Sequence, residues 1–136
     1  PHERDRLASV IAQYTTLRPL LHTGLMFRED HPDTNIMVHG VSALDQSHSL
    51  VSVTRLANGP SSHVDPIHLQ QFNDDTTFMI KPLHLGTPAF APHRKLPQWI
   101  EDGSITMTGR HMREIGVVCP PLLPASSFLI QIHQVK

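Results

Sequence analysis

The chain of 136 residues has a single cysteine, Cys119, so no internal disulfide can form and an apolar core must hold the fold. It has one Trp and one Tyr, and charged residues make up only 17% of it, short of the usual quarter. Neither sign of charge dominates: 11 Lys and Arg stand against 12 Asp and Glu, for a net charge of -1, and no run of one sign is sustained. That balance excludes the electrostatic footprint of a nucleic-acid partner or of an anionic membrane surface. No apolar stretch is long enough to span a bilayer. At about 150 residues per domain the length fits one domain, and it rules out a complete barrel enzyme, which needs about 200 residues or more.

Proline and histidine are abundant instead. Twelve Pro suit a strand-and-turn protein better than a helical one, and 11 His make the charge sensitive to mild acid. The exception to the strand pattern comes first. Leu7, Val10, Ile11, Tyr14 and Leu17 recur with a helical period, Glu3 and Asp5 suit a first turn, and Gly24 suits a stop after His22. Pro19 is expected to kink or restart this helix, because it lacks a donor and clashes with the preceding turn. One amphipathic helix cannot bury its own stripe, so it must dock on the following domain or on something else.

After Gly24 the period becomes two. Ile36 and Val38, Val51 and Val53, Ile67 and Leu69, Phe78 and Ile80, Ile105 and Met107, and Phe128, Ile130 and Ile132 each alternate with more polar neighbours. Turn-forming segments such as His31-Pro32-Asp33 and Asn73-Asp74-Asp75 separate them. Six to eight short strands after a helix predict a mainly β protein, an antiparallel β-sandwich of Greek-key type preceded by one amphipathic helix. Residues 86–104 read as a long loop holding Trp99, and the spacing of Met112 and Ile115 predicts a short helix between Thr108 and Gly116.

A search for chemistry finds little. The adjacent acids Glu29-Asp30, Asp74-Asp75 and Glu101-Asp102 lie beside turns and read as solvated turn acids, not as carboxylates facing each other across a glycosidic bond. The closest histidines, His63 and His68, are separated by Pro66 and match no metal-site spacing, while His39, His68 and His133 alternate with core positions and are expected to face solvent. Ser61-Ser62 and Ser126-Ser127 lack a nucleophile elbow, and Cys119, between Val118 and Pro120, reads as a buried structural thiol. No catalytic residue and no metal ligand is assigned. Trp99, near His93 and Arg94, is the candidate for carbohydrate contact, since an exposed indole beside polar groups suits sugar stacking, although aromatics in long loops more often tuck into the domain as anchors.

Three segments carry a family resemblance. Tyr14-Thr15-Thr16-Leu17-Arg18-Pro19-Leu20-Leu21-His22-Thr23-Gly24 is the first. His31-Pro32-Asp33 through Val38-His39-Gly40-Val41, with Asp45-Gln46-Ser47 and the run Leu50 to Leu56, is the second. Thr108-Gly109, Met112, Glu114-Ile115-Gly116-Val117, Pro120 and the apolar run Phe128 to Ile132 form the third. In order and spacing the chain resembles the C-terminal part of bacterial alpha-galactosidases of glycoside hydrolase family 36.

The resemblance implies that residues 1–24 are the last helix of an upstream catalytic barrel and that residues 25–136 are the β-sandwich that follows it. It implies a parent that removes terminal alpha-galactosyl units with retention, using an aspartate nucleophile and a carboxylic acid. Those acids belong to motifs with no counterpart in this sequence, so the chain itself is expected to be inactive. The implied partners are the catalytic barrel and further copies in a homo-oligomer. The parent needs no cofactor, and the lack of disulfides fits the cytoplasm.

Overall fold

The computed structural model describes residues 2–57, 64–83, 96–122 and 125–135. The chain opens with α1 (His2–Thr23) and β1 (Leu25–Glu29), then runs through β2 (Ile36–Ser42), β3 (His48–Arg55) and β4 (Thr77–Leu83). After these come α2 (Gln98–Asp102), β5 (Ile105–Thr108), α3 (Gly109–Glu114) and β6 (Ser126–Gln134). All described strands join one antiparallel sheet in the order β1-β2-β3-β6-β4-β5. The mainly β, helix-led class is thus what the structure shows.

The alternation along the strands builds one dry face. Val38 pairs with Val53, Val53 with Phe128, Val51 with Ile130, and Ile80 with Ile132, so large apolar side chains meet across four strands. Each of them is buried. Where the same face turns polar at the end of the β2–β3 hairpin, the Ser42 and Ser49 hydroxyls lie opposite each other at 2.8 Å and satisfy one another.

The layer covering this face is irregular. Val64, Ile67, Leu69, Phe72, Trp99, Met112, Val117 and Leu122 complete the core from loops and the two short helices. Ile67 and Leu69 are buried as their alternation required, but they form no ladder strand. Ile67 makes one isolated antiparallel bridge to Val117, with N–H···O distances of 3.0 and 2.8 Å. Pro66 on one side and Pro120 on the other donate nothing, and α3 ends close to Val117, so the pairing cannot propagate.

The connection after Leu96 is partly helical. Pro97 starts α2, and Gly103, at φ 92°, closes it by donating to Trp99 O and Ile100 O. α3 falls where the spacing predicts, capped by Thr108, whose hydroxyl accepts the His111 N–H at 3.1 Å. β1 had no clear alternation in the sequence. As an edge strand it leaves Leu25 and Met26 exposed, so its pattern is not that of a half-buried strand.

α1 runs through Pro19 without a break. Leu17 and Leu20, on either side of the proline, are 4% and 7% exposed, and burying them holds that turn in place despite the missing donor. Gly24 ends the helix by donating to Leu20 O at 2.9 Å. A Cβ at Gly24 would lie 2.5 Å from a Val41 methyl and 2.8 Å from Ser42 O, so only glycine lets the helix end approach β2 this closely.

Candidate functional site

Trp99, the candidate for sugar stacking, is in the core. It is 6% exposed, its indole N–H donates to Val118 O at 2.7 Å, and its ring lies 6.1 Å from that of Phe128. An indole buried this far has no open face for a sugar ring. It serves as the anchor of α2. His93 and Arg94 lie outside the described residues.

Several carboxylates are held by donors of the domain itself. Asp33 and Asp45 accept the N–H two residues on, from Asn35 and Ser47, as turn acids do. Glu29 accepts the Gln70 N–H at 3.1 Å, and Asp102 accepts from the Gln98 amide at 3.0 Å. Asp74 departs from the turn-acid expectation. Both of its oxygens are bonded by Arg113, and Arg110 approaches at 3.9 Å, so it ties the turn before β4 to α3. The Arg113 hydrogen bonds hold the Asp74 carboxyl below its ordinary value. A carboxylate clamped in this way is a poor general acid.

Histidine and cysteine also have structural surroundings. His68 places Nδ1 2.9 Å from Arg113 O in the irregular layer. His39 and His133 are on the open face of the sheet, half-buried, and His133 stacks on His48 of the neighbouring strand with ring centroids 4.3 Å apart. Burial pushes the Cys119 thiol up to about 12, which makes it an inert core group. Among the described residues, no three or more His, Cys, Asp or Glu come together to hold a metal. No described helix is long and apolar enough to cross a membrane.

What the structure does present is surface. The helical stripe of the sequence divides into two. Leu17 and Leu20, with half-buried Val10 and Leu21, form an inner stripe, and Leu21 lines a hollow of about 240 Å³ with Met26, His39, Val41, Leu50 and Leu129. Leu7, Ile11 and Tyr14 form an outer stripe and are 61%, 55% and 47% exposed. Beside the hollow, Met26, Phe27, Arg28, Met37 and His39 line a second one of about 350 Å³, open to solvent. Among the described strand residues that share this open face, Arg28 and Lys81 are charged and no carboxylate is present. Such a surface can bind another apolar surface; His39 is the one imidazole in the two hollows, and among the described residues no carboxylate shares the face with it.

The fold and these surfaces define a helix-led antiparallel sheet domain with one closed face and, among the described residues, one partly open side. No protein-family model matches the chain. An alpha-galactosidase of Escherichia coli is 26% identical over 137 residues, covering 97% of this chain and 19% of that enzyme. Among solved structures, the alpha-galactosidase from Lactobacillus brevis matches 100% of this chain with 17% of its own, at a TM-score of 0.72 and 18% identity. A family 36 alpha-galactosidase from Geobacillus stearothermophilus matches 99% of this chain with 16% of its own, at a TM-score of 0.71 and 17% identity. The chain is similar along nearly its whole length to a part of alpha-galactosidases, as the resemblance in the sequence led us to expect. It spans less than a fifth of the length of each of these relatives.

Proposed function

We propose that this chain is a non-catalytic structural domain of an alpha-galactosidase, a C-terminal brace for a catalytic barrel that hydrolyses terminal alpha-galactosides with retention. The observation that carries this reading is the match of 97% of the chain to only 19% of an alpha-galactosidase, by a fold in which the described carboxylates are turn acids or ion-paired rather than set across a glycosidic bond. Residues 1–24 act as the last helix of the barrel and residues 25–136 as the sheet domain. The breadth of the apolar arc on α1 supports this division, since Leu17 and Leu20 on its inner half are buried in the chain while Leu7, Ile11 and Tyr14 on its outer half are left for a second body. The enzyme would work in the cytoplasm, where a buried unpaired thiol such as Cys119 is ordinary.

The second reading, a carbohydrate-binding module that contacts oligosaccharides through Trp99, loses its aromatic platform to the core. The test of the first is a chimera in which this chain replaces the matching segment of the Escherichia coli enzyme. The chimera is expected to hydrolyse a chromogenic alpha-galactoside where deletion of the segment abolishes activity. A soluble, folded chimera no more active than the deletion would count against the brace.

A further inference from the structure

The open face of the sheet is apolar in the middle and basic at its two sides. One row of cross-strand partners, Met26, Val41, Leu50, Gln131 and Lys81, crosses five strands, and Arg28 lies two residues along β1 from Met26 on the same face. At about 4.8 Å per strand the two cations stand about 20 Å apart, with the hollow of Leu21, Val41, Leu50 and Leu129 between them. Both are exposed, and among the described residues neither has an ion-pair partner. All twelve Asp and Glu are among the described residues, and none is on this face. Glu3 and Asp5 open α1, Glu29 turns to the closed side to accept the Gln70 N–H, and the other nine lie in α2, in α3 or in the connections between elements. The C-terminal half of α1 adds Arg18 and His22 and no acid. The other titratable groups of the face, His39, His48 and His133, can only add positive charge.

We propose that an acidic surface of the catalytic barrel covers this face, with one carboxylate opposite Arg28, another opposite Lys81 and an apolar side chain entering the hollow between them. The inference rests on the brace reading and adds to it the chemistry of the partner. It concerns the sheet and makes no use of the outer stripe of α1. A neutral apolar surface laid here would strip water from both cations without replacing it, and a basic one would repel them. Charge therefore selects an acidic partner, and the apolar middle of the face supplies the attraction. The chain has no carboxylate of its own to compete for either cation on this face, so both stay available to the partner.

A water-soluble carbodiimide joins a lysine amine to a carboxylate only where the two are in contact, so it reads the pairing in the chimera with the Escherichia coli enzyme. Peptide mass spectrometry should find an amide between Lys81 and an Asp or Glu of the Escherichia coli sequence. The Arg28→Lys variant should give a second such amide from position 28. Arg28→Glu together with Lys81→Glu should shorten the half-life of heat inactivation of the chimera about tenfold, as two attractions become two repulsions. Raising the salt to about 0.5 M should narrow that difference, which a defect of folding would not do. An active chimera in which either position fails to join a carboxylate outside this chain overturns the inference and leaves the brace standing. So does one whose inactivation ignores the charge reversal. A folded but inactive chimera removes the brace, and this inference with it.

Discussion

The two faces of the sheet are made from one alternating sequence and have different fates. On one, Val38, Val51, Val53, Ile80, Ile130 and Ile132 are buried under a layer that the chain itself supplies from loops, α2 and α3. On the other, Met37, Val41, Leu50 and Leu129 stay half-buried, and among the described residues the C-terminal end of α1 reaches them through Leu21. The first face closes a complete apolar core. The second, together with the outer stripe of α1, leaves apolar side chains such as Leu7 and Met26 exposed, which is what the proposed brace requires.

The sharpest way to break this comparison is a pair of neighbours on β6. Ile130→Ala opens a cavity in the closed layer and should cost about 2–5 kcal/mol, whereas Leu129→Ala on the open face should cost less than about 1 kcal/mol. Urea unfolding of both measures the difference, and equal losses would mean that the open face is as closed as the core. Within α1, Leu17→Ala should cost more than about 1 kcal/mol and Leu7→Ala should stay within about 0.5 kcal/mol, because only the first is buried. Thr108→Ala removes the cap of α3 and should cost about 1 kcal/mol by the same measurement.

The smallest effect is one of pH on the open face. His48 and His133 are both held below their ordinary value of 6.5, His48 by burial and then by the charge of His133, and His133 by burial and then by Lys81. The unfolded chain takes up these protons first as pH falls. The contribution of the pair is thus fully present above about pH 6.5 and is lost as pH drops through the lowered folded values. Thermal melts from pH 7.5 downwards, at about half-unit steps, should show a decline that the double variant His48→Phe with His133→Phe makes shallower. An unchanged slope would mean that the stack has no linkage to folding.

Much of this was legible in the sequence, because the closed face obeys a local rule. The alternations at Ile36, Val51, Phe78, Ile105 and Phe128 each mark a strand, and the spacing of Met112 and Ile115 marks α3. What was not legible depends on distant partners. Ile67 and Leu69 alternate because they are buried, yet burial in an irregular layer gives the same pattern as burial in a sheet. The His48–His133 stack requires that β6 insert between β3 and β4, and no spacing within either strand states that order. The periodicity of α1 gives which residues are apolar but not which are covered, so Leu7 and Leu17 look alike until the sheet is in place. Trp99 was ambiguous for the same reason: a lone loop aromatic near polar residues reads as a sugar platform or as a core anchor until Val118 O and Phe128 are seen around it.

The central claim is that this chain is a brace without a catalytic centre of its own. Its most direct test is hydrolysis of a chromogenic alpha-galactoside by the purified 136-residue chain, over a range of protein concentrations. The account predicts no turnover above the uncatalysed rate at any concentration. Turnover proportional to protein and retained through repurification would contradict it, and would require a facing pair of carboxylates within this chain.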